Sequence, residues 1–103
     1  MNDIDFELRV RLNNNLLRQK EIEKSIEFLP KGHINILYRN NRGYYYLTYR
    51  EGQKVKNDYL GPEGKTDLNK TMNRLQKRKV IEEELIELKK EAKKLKKLIS
   101  SLK

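Results

Sequence analysis

The sequence predicts an α+β protein: an N-terminal helical segment, a three-stranded antiparallel β-meander, and a long C-terminal helix with a coiled-coil-like seam. Three observations predict it. Leu29-Pro30-Lys31-Gly32 and Gly61-Pro62-Glu63-Gly64 cut the chain twice, because proline and glycine together break a helix. All six tyrosines fall between those breaks, within 22 residues, where aromatic side chains favour a pleated surface. After the second break, Ile81, Leu85, Leu88, Ala92, Leu95, Ile99 and Leu102 keep a four-three spacing, close to three heptads. The segments are 1–29, 30–65 and 66–103, in one structural domain overall.

The first segment carries two patterns. Ile4, Phe6, Leu8, Val10 and Leu12 alternate with charged residues, as a half-buried strand does. Ile4, Leu8, Leu12, Leu16, Ile22, Ile26 and Leu29 also form a helical stripe. Residues 15–28 are predicted as helix; for residues 3–12, helix and strand both stay open.

In the middle segment Ile34, Ile36 and Tyr38 share one parity of a first strand. Asn40-Asn41-Arg42-Gly43 is a turn rich in residues that tolerate positive φ. Tyr44 to Tyr49 form the second strand, Arg50-Glu51-Gly52 turns the chain, and Lys54 to Leu60 form the third. A three-residue loop with Gly52 in its left-handed position pairs Leu47 with Val55 and Tyr49 with Gln53. One face then collects Ile34, Ile36, Tyr38, Tyr45, Leu47, Tyr49, Val55 and Tyr59 as a core. The other collects Asn35, Leu37, Arg39, Tyr44, Tyr46, Thr48, Lys54 and Lys56, aromatic and basic.

Thr66 or Asp67 is a plausible N-cap for the last helix. Its apolar seam needs cover, either from residues 15–28 of the same chain or from a second copy. The homodimer is slightly favoured, since the first segment spans only about half the length of the last helix. Lys77-Arg78-Lys79 interrupts the apolar stripe between Leu75 and Ile81.

Composition narrows the function. Of 103 residues, 36% are hydrophobic and 38% charged, too few core builders for a large enzyme with a deep pocket. With no cysteine, disulfide scaffolds, thiolate zinc sites and thiol nucleophiles are excluded. His33 is the single histidine and lacks the oriented partner that a general base needs. Glu82-Glu83-Glu84 with Glu87 on one helix reads as a solvated face rather than a metal or catalytic cluster. Gly-Pro-Glu-Gly-Lys-Thr has the wrong spacing for a phosphate loop, and Pro62 removes an amide from the cradle. No catalytic residue, metal site or cofactor is expected. No stretch approaches a membrane span, and the acidic start is unlike a signal peptide, so a cytoplasmic protein without membrane attachment is expected.

The formal charge of +9 is unevenly placed. Residues 1–29 carry five basic and six acidic side chains, residues 30–67 seven and four, and residues 68–103 twelve and five. Such asymmetry attracts polyanions. Lysine outnumbers arginine sixteen to eight, which suits diffuse phosphate attraction better than bidentate base contacts. A sheet can enter a duplex groove or offer rings on which unpaired bases stack. The residues expected to meet nucleic acid, DNA or RNA, are therefore Arg39, Arg42, Tyr44, Tyr46, Thr48, Lys54, Lys56, Lys77, Arg78 and Lys79.

Leu29-Pro30-Lys31-Gly32, the run from Tyr44-Tyr45-Tyr46-Leu47 to Lys54-Val55, and Tyr59-Leu60-Gly61 before a charged heptad-like helix resemble a family of small proteins common in phages and mobile elements of low-GC bacteria. That resemblance implies the helix–three strands–helix fold. The middle segment is more distantly similar to the three-stranded DNA-binding arm domain of tyrosine recombinases. This likeness implies a sheet laid in a major groove, with Arg39, Tyr44, Tyr46, Thr48, Lys54 and Lys56 facing it. The phage resemblance also implies a second expectation: a protein-interaction module, dimeric through the Ile81–Leu102 seam, that inhibits a nucleic-acid-handling assembly such as a CRISPR effector complex.

Overall fold

The computed structural model describes residues 3–102; the ends of the predicted outer segments at residues 1, 2 and 103 lie outside them. The elements run α1 (Asp3–Ile26), β1 (His33–Arg39), β2 (Arg42–Glu51), β3 (Lys54–Pro62) and α2 (Asn69–Ser101). This is the predicted α+β class and order. The chain divides into two compact units. One holds the residues up to Phe28 together with those from Lys79 onward; the other is Leu29–Arg78.

The first unit is an antiparallel helical pair. Residues 3–12 are helix, which resolves the open alternative. Asp3 and Asp5 sit in the first turn, where the helix dipole favours negative charge. Asp5 accepts from Arg9 Nε at 3.0 Å, an i,i+4 pair that only a helix brings together. Leu8, Leu12, Asn15, Gln19, Ile22 and Ile26 form the inward stripe. Phe6 and Val10, also members of the strand-like alternation, lie on the opposite side and are exposed; Ile4, at the start of the stripe, is exposed too.

On α2 the predicted seam is present. Ala92, Leu95 and Ile99 are buried and Ile81, Leu85 and Leu88 half-buried, while Leu102 is exposed. Within this chain the seam is covered by α1. The expectation of a dimer rested on a first helix that begins at residue 15. It begins at Asp3, and its 24 residues span about 36 Å at a rise of about 1.5 Å each, enough for the whole seam. Asn15 is buried within the pair, where Nδ2 donates to Leu88 O at 2.9 Å and Oδ1 accepts from Gln19 Nε2 at 2.7 Å. Arg18 closes the rim with two parallel bonds to Glu84, at 2.7 and 3.0 Å, and a third to Glu21. Glu84 is thus an ion-pair partner within the predicted acidic face.

The second unit is the meander, in the order β1-β2-β3, followed by the first turns of α2. Asp67 is the N-cap, its Oδ1 accepting from Asn69 N at 2.9 Å. Arg39 pairs with Arg42 across a two-residue loop whose Asn40 and Asn41 have φ of 52° and 65°, as a type I′ turn requires. The second hairpin departs from the predicted register. Glu51 pairs with Lys54 across a two-residue Gly52-Gln53 loop, with Gly52 at φ 63° in its first position. Leu47 therefore lies opposite Asp58 rather than Val55, and Tyr49 opposite Lys56 rather than Gln53. A bulge at Leu60 then shifts the ladder, so that Tyr46 pairs with Tyr59 and Tyr45 with Gly61.

This register moves four residues between faces. The inner face holds Ile34, Ile36, Tyr45, Leu47 and Tyr49 as predicted, with Leu47 its buried centre, whereas Tyr38, predicted to join that core, is exposed beside the hairpin tip. Lys54 and Lys56 belong to this side, while Val55 and Tyr59 belong to the other and are exposed. A three-stranded sheet cannot bury a leucine alone. In the same unit Leu68, Thr71, Leu75 and Arg78 form a half-buried stripe, and Arg78 donates to Leu29 O at 2.7 Å.

Candidate nucleic-acid interface

Alternation along three paired strands fixes what the outer face carries. Its rows are His33, Thr48 and Asn57; then Asn35, Tyr46 and Tyr59; then Leu37, Tyr44 and Pro62; with Arg39 opposite Arg42 at the hairpin tip and Arg50 opposite Val55 at the far end. Three arginines and three tyrosines share it, and no strand residue on it is acidic.

The tyrosines form one cluster. The Tyr46 and Tyr59 rings lie 5.4 Å apart between centroids and tilted by 57°; Tyr44 and Tyr59 lie 6.4 Å apart at 48°. Such tilted contacts suit the ring quadrupoles and hold the three rings in place. Tyr59 is 56% exposed, while Tyr44 and Tyr46 are half-buried. Beside the rings a polar ladder crosses all three strands. Asn35 Nδ2 donates to Thr48 Oγ1 at 2.8 Å, and Thr48 Oγ1 donates to Asn57 Oδ1 at 2.6 Å. The ladder engages neither the amide donors of the exposed Asn57 nor the carbonyl of the half-buried Asn35.

Two clefts flank the rings. One is lined by Arg39, Asn40, Arg42, Tyr44 and Tyr46. The other is lined by Arg42, Tyr44, Tyr59, Pro62, Glu63 and Lys65 among others. Arg39, Arg42 and Arg50 are exposed, and among the described residues none of them forms an ion pair.

Of the predicted contact residues, Arg39, Arg42, Tyr44, Tyr46 and Thr48 come together here. Lys54 and Lys56 do not, because the two-residue loop turns them to the inner side. There Lys56 bonds Glu51 at 3.0 Å, and that hydrogen bond raises the lysine's pKa above its ordinary value. Tyr49 reaches Asp58 on the same side at 3.4 Å; desolvation, and then the Asp58 charge, raise the pKa of its phenol. Lys77 and Lys79 are exposed on α2, whereas Arg78 is half-buried against its own backbone partner. Sequence reasoning missed Tyr59 and Arg50 as members of the face. The signal for both was Glu51-Gly52-Gln53-Lys54: opposite charges flanking Gly-X mark a two-residue hairpin loop.

Among the described residues no cluster of His, Asp or Glu is placed to hold a metal ion, and no helix is long and apolar enough to cross a membrane. Neither the curated proteins nor the solved structures gave a match to this chain. A family model does match, over residues 13–70, covering the second half of α1, the whole sheet and the start of α2. The chain belongs to DUF6788, a family defined by a domain of unknown function.

Proposed function

We propose that this protein is a non-catalytic nucleic-acid-binding protein whose contact surface is the outer face of the sheet. The observation that carries the proposal is the coincidence of Arg39, Arg42 and Arg50 with Tyr44, Tyr46 and Tyr59 on one exposed face without an acidic strand residue. Arginine meets phosphate through a planar fork, and tyrosine offers a flat apolar surface to a base. The strand–turn–strand–turn–strand–helix order behind the likeness to recombinase arm domains supports a sheet that meets nucleic acid. The sequence motif from Leu29 to Gly61 supports a phage or mobile-element setting in the cytoplasm. No observation favours inhibition of a CRISPR effector over direct binding.

The test is a salt titration of binding to labelled duplex DNA, single-stranded DNA and structured RNA, beside a charge-matched control peptide. Replacing Arg39, Arg42 and Arg50 by Gln together is expected to flatten the log–log salt slope by about 0.9 per lost phosphate contact on duplex, or about 0.7 on single strands. Replacing Lys54 and Lys56 by Gln, on the opposite side, is expected to change it less. Equal effects would remove the outer face from the mechanism. Binding no tighter than the control on all three ligands would reject nucleic acid as the partner and return attention to protein targets.

A further inference from the structure

We infer that the outer face is built for unpaired nucleotides, with a phosphate gripped between Arg39 and Arg42 and bases stacked on the Tyr44–Tyr46–Tyr59 cluster. The inference rests on the nucleic-acid proposal for the same face and names its ligand class, single-stranded nucleic acid.

The first argument is the position of the rings. A reader of duplex presents hydrogen-bonding groups to base edges at the centre of its contact and cations to the backbones on either side. Here the centre is aromatic: Tyr46 and Tyr59 pair across the middle of the face, and Tyr44 extends the cluster toward the hairpin tip. Stacked duplex bases show only their edges and give these rings nothing to stack on. An unpaired base shows its whole face.

The second argument is the tip. Arg39 and Arg42 lie directly opposite each other, and like charges in that position destabilise a hairpin. The Asn40-Asn41 turn sets them there, and among the described residues neither arginine forms an ion pair, although Glu63 lines the cleft beside Arg42. A phosphate between the two guanidinium groups converts that repulsion into charge-assisted hydrogen bonds. Arg42 and Tyr44 are two residues apart on one strand, about 7 Å. That reach places a base over the ring while its own phosphate sits in the arginine pair. The third argument is the Asn35–Thr48–Asn57 ladder beyond the rings, whose amides offer donors and acceptors to the edge of a splayed-out base.

The experiment compares fluorescence anisotropy of the full chain with labelled 12-mers: single-stranded DNA, single-stranded RNA, the matching duplex, and an abasic strand that keeps every phosphate. The single strands are expected to bind at least 10-fold tighter than duplex, and the abasic strand at least 10-fold weaker than its parent. Tyr46→Leu and Tyr59→Leu should each weaken single-strand binding by roughly 5–100-fold without changing the salt slope, since stacking releases no counterions. Arg39→Gln with Arg42→Gln should flatten that slope by about 0.7, the value for one phosphate on a single strand. Comparing the DNA and RNA arms decides which sugar is preferred. Equal binding of parent and abasic strands overturns the inference with unmodified protein, so misfolding of a variant cannot mask the answer. Duplex bound as tightly as single strands also overturns it, while leaving the broader nucleic-acid proposal intact. Failure on every ligand overturns both.

Discussion

Leu47→Ala tests the register on which the outer face depends. Leu47 is 8% exposed, on β2 between Ile34 and Asp58. Truncation to alanine removes three carbons. At about 0.8 kcal/mol per buried methylene, the transfer loss alone is about 2.2 kcal/mol for a side chain so nearly enclosed. A cavity left in a sheet open at both edges relaxes partly, adding on the order of 1 kcal/mol. The expected cost is therefore about 3 kcal/mol. Val55, by contrast, is 58% exposed and lies opposite Arg50. Val55→Ala removes two carbons, less than half withdrawn from water, at a cost of about 0.7 kcal/mol. The assay is urea unfolding followed by tyrosine fluorescence. All six tyrosines lie in residues 38–59 and there is no tryptophan, so the signal belongs to the sheet. A cost of 3 kcal/mol moves the midpoint by about 1–3 M urea. Equal costs at the two positions, or a larger one at Val55, would mean that Val55 faces inward as a three-residue loop requires. The outer face would then lose Tyr59.

Asn15→Leu is expected to stabilise the helical pair by about 1 kcal/mol, because a buried amide in a helix seam fixes register at a cost in stability. Far-UV circular dichroism in urea reads it, and destabilisation by more than 1 kcal/mol would contradict that role. The Arg18 hydrogen bond, then its charge, hold the Glu84 carboxyl below the ordinary carboxylate range. A lowered folded-state pKa contributes stability above the unfolded value, and that stability is lost as pH falls through the folded value. Helix signal in acid should therefore fall below the usual carboxylate range, and Glu84→Gln should remove that part of the profile; an unchanged profile would mean that solvent screens the pair completely. Gly32→Ala is expected to cost at least about 2 kcal/mol, since Gly32 has φ 102° and an added Cβ would meet Thr48 O and lie 2.8 Å from Tyr49 Cβ. Gly52→Ala, at φ 63° with open space around it, is expected to cost about 1 kcal/mol, so equal thermal shifts would refute the close approach.

How much of this was legible in the sequence varied with the kind of constraint. The breaks, the strands, the Asn-Asn turn and the seam of α2 each follow from a local signal: proline with glycine, tyrosine clustering, positive-φ tolerance, heptad spacing. The first hairpin needs only that information, so the parity of Ile34, Ile36, Tyr45 and Leu47 was readable. The second hairpin was not, because a loop shorter by one residue reverses every side chain on β3. Hydrophobic pattern argued for the wrong register: it placed Val55 inward and left the Lys54 and Lys56 cations outside. In the structure Glu51 compensates Lys56 on the inner side, a pairing across the hairpin that composition does not reveal. Residues 3–12 were ambiguous for a related reason. Leu8 and Leu12 satisfy both a period of two and an i,i+4 spacing, and only the partner helix decides between them.

The two kinds of cation are segregated, and that separation yields the last prediction. Residues 89–97 of α2 carry six lysines and no arginine, all exposed, whereas the outer sheet face carries three arginines and no lysine. The chain-wide lysine excess therefore misdescribes the proposed site. Lysine is a strongly hydrated point charge suited to solubility and diffuse attraction; arginine adds a planar fork that grips phosphate and stacks on rings. Exchanging Arg39 and Arg42 together for lysine keeps the charge and removes only the fork. If the site uses charge alone, single-strand affinity and salt slope both stay as they were. If the fork matters, the slope is preserved while affinity falls by about 10-fold, one lost charge-assisted hydrogen bond's worth. The reverse exchange, Lys93→Arg with Lys96→Arg on α2, is expected to leave affinity unchanged. Anisotropy at fixed salt distinguishes these outcomes, and an Arg39→Lys, Arg42→Lys variant that binds as tightly as the parent would refute a fork at the hairpin tip.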